Sequence, residues 1–391
     1  MRKYLNTRII TDEKIHLLAH QRRVLNKMLY YLLYSLKDFH SFFNIFKYIT
    51  FRAVLAAATA FLISIIFGPV LIRRLGQLKI GQQLRPPEEC LDLYKLHSNK
   101  AGTPTMGGIL ILLSIVVSVL LWSDMGNKYI ILSLIAMLVL GAIGFVDDYI
   151  KLTKKRSKGL DILGKFIPQA LTASCIGYFA YLDPSLGGRV DIPFLKDVVW
   201  NLGLFYIIFA VLVIVGSSNA VNLTDGLDGL AIGCVIMAAL AYMILSYVSG
   251  HAVFSKYLFI PFIPGSGELA ILCAGIVGAG LGFLWFNCFP ASVFMGDVGS
   301  LSLGGVIGVT AVFIRKEFLL VIVGGIFVVE AVSVILQVGS FRLRGGKRIF
   351  KIAPLHHHFQ VSGWPESKVI VRFWIIGIIL AVVTLATLKI R

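Results

Sequence analysis

Apolar runs of about twenty residues, separated by polar connections, recur ten times along this chain, near residues 50–72, 106–122, 129–150, 166–182, 203–221, 229–249, 269–288, 299–314, 318–340 and 369–388. At a helical rise of about 1.5 Å per residue, such a run crosses a hydrocarbon layer of about 30 Å. None alternates polar and apolar residues with the period of two that a barrel strand requires. The pattern predicts an all-α polytopic membrane protein of about ten transmembrane helices. Ahead of the first run, residues 1–47 are basic and irregular. There Thr11–Lys14 (TDEK) reads as the cap of a short helix, and an amphipathic stretch begins at Met28, itself readable as a start with an extension upstream. The chain thus divides into an N-terminal extension and amphipathic lead-in, 1–47, and a single transmembrane domain, 48–391. Phe254–Pro264, apolar with two prolines, reads as a small external hairpin, and Gly304 with Gly308 forms a GxxxG suited to close helix packing.

Composition agrees with the pattern. Of 391 residues, 57% are hydrophobic and 15% charged, and the mean hydropathy is +0.84. A soluble protein of this length does not carry so much apolar sequence. The net charge of +17 points in such a chain to orientation and to anionic lipid or substrate rather than to nucleic acid. Five scattered cysteines with no CxxC pair indicate neither a disulfide framework nor a zinc site. No cleavable signal peptide is recognisable in the charged first 40 residues.

Lysine and arginine orient the spans. Numbered from the first, connections one, three and nine hold eighteen of them, and the four even connections hold six. By the positive-inside rule the odd connections are cytoplasmic, and ten spans then leave both termini on the outer side.

The unusual polar residues all fall on that cytoplasmic side. Lys100 and Thr105, in Thr103–Gly108 (TPTMGG), close connection one. Asp147 and Asp148 end the third span, with Lys151 at i+4 and i+3 spacing for an ion pair. Connection five is Asn219–Ala231 (NAVNLTDGLDGLA), which reads as a helix end opening into a glycine-rich turn bearing Asn222, Asp225 and Asp228. Connection seven holds Asn287, Phe294, Asp297 and Ser300, and connection nine holds His356, His357 and His358. Carboxylates at the edge of hydrocarbon are costly, about 2.5–3.5 kcal/mol on insertion scales, and mark working sites.

Five aspartates with little cysteine suit a hard divalent cation such as Mg2+ or Mn2+, and neighbouring lysines suit phosphate. Together they are the apparatus of phosphoryl transfer. Blander readings stand beside this one. Asp147-Asp148 reads also as a solvated helix end, Asp297 as a cap of the eighth span, Lys100 as an orientation charge and Phe294 as packing. Three successive histidines cannot all face one ligand. Gly278–Gly282 lies inside an apolar span, which excludes a dinucleotide fold there. An ion-coupled transporter would place its carboxylates at mid-membrane on broken helices rather than at one face.

AGTPTMGG (Ala101–Gly108), GFVDDYIK (Gly144–Lys151), NAVNLTDGLDGL (Asn219–Leu230), FMGDVGS (Phe294–Ser300) and APLHHHF (Ala353–Phe359) resemble, in order, the phospho-N-acetylmuramoyl-pentapeptide-transferase family. The resemblance runs from about Met28 to the C-terminus. It implies ten transmembrane helices, a homodimer in the bacterial inner membrane, and Mg2+-dependent transfer of phospho-MurNAc-pentapeptide from UDP-MurNAc-pentapeptide to undecaprenyl phosphate, giving lipid I and UMP. Asp147, Asp148, Asp297, His356 and His357 then match catalytic positions. Lys100, Thr105, Lys151, Asn222, Asp225, Asp228, Asn287, Phe294, Ser300 and His358 match positions around the nucleotide-sugar. Asp297 and Asp225 are the implied metal ligands. A related transferase using another UDP-sugar is the alternative.

Overall fold

The computed structural model describes residues 29–78, 100, 102–154, 159–195 and 198–389. The expected cap at 11–14 and most of the first connection lie outside the described residues. The fold is mostly helical, and nine of the ten apolar runs each coincide with one helix while the ninth holds two. The longest helices of the runs are, in order, α2 (Ile49–Gln77), α3 (Gly108–Trp122), α4 (Lys128–Thr153), α5 (Ile162–Leu182), α6 (Phe205–Thr224), α7 (Leu230–Ser249), α9 (Leu269–Asn287), α10 (Gly296–Phe313), α12 (Gly325–Leu343) and α14 (Glu366–Ala386). Eight helices among the described residues are long and apolar enough to cross a membrane; α3 has only 15 residues, and α5 carries Pro168. The shorter elements are α1 (Leu29–Ser35), α8 (Ala252–Tyr257), α11 (Glu317–Val323), α13 (Leu355–Val361) and a two-stranded antiparallel hairpin, β1 (Arg189–Asp191) with β2 (Val199–Asn201).

Burial sorts the helices into an axis and a rim. The apolar window of α10 is 89% buried, against 22% for α2 and 28% each for α12 and α14. Small residues permit the contact: a Cβ on Gly304 would stand 2.5 Å from the Ser217 carbonyl oxygen, and one on Gly308 2.3 Å from Ser217 Oγ. The GxxxG of α10 thus packs against α6 of the same chain, where close approach replaces a hydrophobic driving force.

Two expectations are corrected. Phe254–Pro264 is no hairpin: its first part belongs to α8, capped by His251, whose Nδ1 accepts from the Phe254 N–H at 3.4 Å. Pro261 and Pro264 lack the N–H a ladder needs, and the hairpin forms instead at 189–201. The ninth run divides at Gly324 into α11 and α12.

Buried ion pairs close the end of the bundle formed by the even connections. Arg52 meets Glu268 through its two terminal guanidinium nitrogens, at 2.9 and 2.5 Å, and stacks over Tyr30 of α1. Asp191 of β1 is held by Arg315 at 2.6 Å and Lys316 at 2.8 Å. Tyr206 donates to Glu317 at 2.7 Å. The acids there are paired one by one, and at the other end they are pooled.

Candidate active site

Successive helices run antiparallel, so the C-termini of α4, α6 and α9 and the N-termini of α3, α5, α7, α10 and α14 meet at one end. Direct contacts knit the odd connections together. Strand-like bonds join the first to the seventh: the Phe294 N–H donates to the Pro104 carbonyl, the Gly107 N–H to that of Phe294, and the Gly108 N–H to that of Met295, each at 2.8 Å. Thr105 lies beside Gly296, whose φ of +73° is the left-handed conformation glycine adopts without strain. The Gly296 turn brings Asp297 into the first turn of α10. Gly144 lets α4 touch that turn, since a Cβ there would lie 2.2 Å from the Asp297 carbonyl oxygen.

At this junction Asp147, Asp148 and Asp297 each offer a carboxylate oxygen within 4.8 Å of the others. Two lysines sit among them. Lys151 lies 2.6 Å from Asp147, 3.1 Å from Asp297 and 3.4 Å from Asp148. Lys165 lies 2.6 Å from Asp297 and 4.0 Å from Asp147. The i,i+4 pair read from the sequence is present, and Lys165, counted there only as an orientation charge, proves part of the cluster. Asn222 donates to both Asp297 Oδ1 and Ser300 Oγ at 2.8 Å, which turns the aspartate toward the lysines. The other oxygens are also fixed: Asp147 accepts the Leu160 N–H at 2.8 Å and Asp148 the Val298 N–H at 3.3 Å.

Connection five adds the second half. α6 ends at Thr224, and the turn 225–229 reverses the chain at Gly229, φ +76°. Asp225 is half-buried. Burial pushes its carboxyl up to about 8, and the charges of Asp297, Asp148 and Asp228 push the same way. It stands outside the compact group of three. Asp228 is bound to the backbone of connection seven, accepting the Ala291 N–H at 2.9 Å, and to Lys100 at 2.6 Å. Lys100 reaches Glu366 of α14 as well, at 2.5 Å. Asn287 links the two loops, accepting the Gly229 N–H and donating to the Val293 carbonyl. The Phe294 ring is half-buried.

The three histidines point to three different neighbours, as their adjacency on α13 demands. His356 is fully buried, its backbone N–H 3.1 Å from a Glu330 oxygen. His357 Nδ1 lies 2.9 Å from Gln360 Oε1. His358 Nδ1 accepts the Lys351 N–H, turned toward its own connection. Sequence reasoning missed Glu330 and Glu366. A lone acid inside the apolar run 318–340 was the available signal for the first; the second, in the first turn of α14, reads as an ordinary helix-start acid.

Three carboxylates against two ammonium groups leave negative charge in excess, and every donor in the trio is a hard oxygen. That set fits Mg2+ or Mn2+, which bind through one or two carboxylates and complete their shell with water and substrate phosphate. Soft-metal chemistry has no ligands here.

A pooled acid–lysine site at one end of an apolar helix bundle suits transfer of an anionic group at a membrane face. Residues 129–315 match the model of Glycosyl transferase family 4, a likeness to glycosyl transferases carried on helices long and apolar enough to cross a membrane. Residues 100–112, which include Lys100 and Thr105, match phospho-N-acetylmuramoyl-pentapeptide-transferase signature 1. The chain is 55% identical over 364 residues to the phospho-N-acetylmuramoyl-pentapeptide-transferase of Desulforapulum autotrophicum, covering 93% of this chain and 100% of the relative. It is likewise 55% identical over 366 residues to that of Thermodesulfovibrio yellowstonii, with the same coverage of both. The chain belongs to the phospho-N-acetylmuramoyl-pentapeptide-transferase family.

Proposed function

We propose that this membrane protein transfers phospho-MurNAc-pentapeptide from UDP-MurNAc-pentapeptide to undecaprenyl phosphate, in peptidoglycan synthesis, at the cytoplasmic face of the bacterial inner membrane. The observation that carries the reading is the junction of Asp147, Asp148 and Asp297 with Lys151 and Lys165. It offers cations for a diphosphate and carboxylates for a hard metal within one small volume. Ten crossings with both termini outside, and a homodimer, belong to the same reading; the lysine and arginine count supports the first and the family resemblance the second.

In this mechanism an oxygen of the lipid phosphate attacks the sugar-bearing phosphorus. The new P–O bond forms as the bond to the UMP oxygen breaks, and UMP leaves. Asp147 orients the attacking phosphate or takes its proton; a second phosphate pKa near 6 makes that proton easy to lose. Lys151 and Lys165 balance the charge gathering on the transferring group. Asp297, with Asp225 and the neighbouring Asp147 and Asp148, would hold Mg2+, which when bound supplies Lewis-acid charge neutralisation at the diphosphate. Asn222 and Ser300 keep Asp297 aimed. Lys100, Thr105, Asp228, Asn287, Phe294 and the histidine run surround the nucleotide-sugar.

The test is transfer of labelled sugar phosphate from UDP-MurNAc-pentapeptide into an organic-extractable lipid, with UMP release that requires added polyprenyl phosphate. UMP release without the lipid, together with a trapped phosphosugar-enzyme, would replace the single displacement by a two-step route. Faster transfer from a different UDP-sugar would assign the chain another donor.

A further inference from the structure

Glu330 is a carboxylate within an apolar helix of the rim, yet it and His356 are both fully buried. An isolated charge there is expensive, so its partners carry the reason for it. One Glu330 oxygen accepts the His356 backbone N–H at 3.1 Å. The other lies 3.2 Å from His356 Nδ1. The carboxylate therefore holds the residue by a backbone hydrogen bond and stands at ion-pair distance from its ring, off the line of a hydrogen bond to Nδ1. The opposite edge of the ring lies on the Asp225–Asp228 turn: a Cβ on Gly226 would be 2.2 Å from His356 Nε2. Only glycine leaves space for the imidazole at that point. A continuous path thus runs from α12 through one imidazole to the turn that carries two of the site's aspartates.

We infer that Glu330 is a positioning residue that sets the tautomer and orientation of His356. Negative charge at ion-pair distance from Nδ1 favours a proton on that nitrogen, which turns the Nε2 lone pair toward the Gly226 turn. An amide at position 330 offers an N–H to Nδ1 and reverses this, so that Nε2 presents a proton instead. In the serine-protease triad the corresponding acid-to-amide change keeps the geometry and costs about 10⁴-fold in kcat. The inference rests on reading His356 as a residue of the active site.

Full-length protein carrying Glu330→Gln, His356→Gln or both is to be assayed for UMP release with saturating lipid phosphate. Glu330→Gln keeps an acceptor for the backbone N–H. Its expected effect is a kcat at least about tenfold lower, with KM for the nucleotide-sugar within about threefold. In the His356→Gln background it should cost nothing further, because the ring it acts through is gone. Losses that multiply, or a change confined to KM, overturn the inference. His356→Gln with wild-type activity overturns the reading beneath it, whereas an inactive His356→Gln beside a fully active Glu330→Gln overturns the inference alone. Should Glu330→Gln fail to fold, 15N spectra of histidine-labelled wild type against His356→Gln decide the matter. They should show His356 protonated at Nδ1, and protonation at Nε2 overturns the assignment.

Discussion

Replacing Lys165 with methionine separates the two services the site performs. The ammonium lies 2.6 Å from Asp297 and 4.0 Å from Asp147, and its side chain is 19% exposed. A phosphoryl oxygen seated about 4 Å away would feel about 4 kcal/mol of attraction at an effective dielectric of about 20. Partial exposure and salt screen about half of that, leaving about 2 kcal/mol, or about 30-fold in rate. The same charge repels a divalent cation, so its loss should draw Mg2+ in more tightly by at least about tenfold. Lys165→Met is therefore expected to lower kcat/KM for the nucleotide-sugar about 30-fold while the Mg2+ concentration for half-activation falls. The assay is initial-rate UMP release titrated in both substrate and Mg2+. Unchanged turnover, or a half-activation point displaced to higher Mg2+, would refute the electrostatic reasoning.

Asp297→Ala removes the carboxylate shared by Lys151, Lys165 and Asn222, and should abolish turnover; near-normal rates across a range of Mg2+ concentrations would take Asp297 out of the metal site. Gly304→Val drives a side chain into the Ser217–Ser218 backbone and should cost about 3 kcal/mol of stability, read as an earlier thermal transition in detergent; an unchanged transition would contradict the packing of α10 on α6. Burial pushes the Glu317 carboxyl up to about 7, so between pH 4.5 and 7 the folded protein holds a proton that the unfolded chain has lost. Stability contributed by this group therefore falls as pH rises through that window. Glu317→Gln should flatten that slope, and a slope identical in wild type and variant would assign it elsewhere.

The length of the apolar runs located the long helices, apart from the break at Gly324, because hydrocarbon thickness sets their length and leaves the backbone no alternative to internal hydrogen bonds. Site legibility had the same root: acids at the rim of apolar runs are rare enough to be informative, and antiparallel threading sends every odd connection to one end. What stayed hidden depended on pairing in three dimensions. Lys165 looked like any other basic loop residue until α5 brought it to Asp297. The hairpin at 189–201 was obscured because its strands have only three residues each. At 254–264 the apolar residues suggested a strand, but the His251 cap and two prolines favour a helical turn.

Because the wider site takes a piece from every odd connection, with Glu366 closing over Lys100 near the far end of the chain, it is completed in stages as the chain lengthens. The aspartates face Lys151 and Lys165 once Asp297 is in place, whereas the second hold on Lys100 waits for the final helix. A chain that has yet to insert its last helix thus holds the acid–lysine cluster without the Glu366 anchor of Lys100.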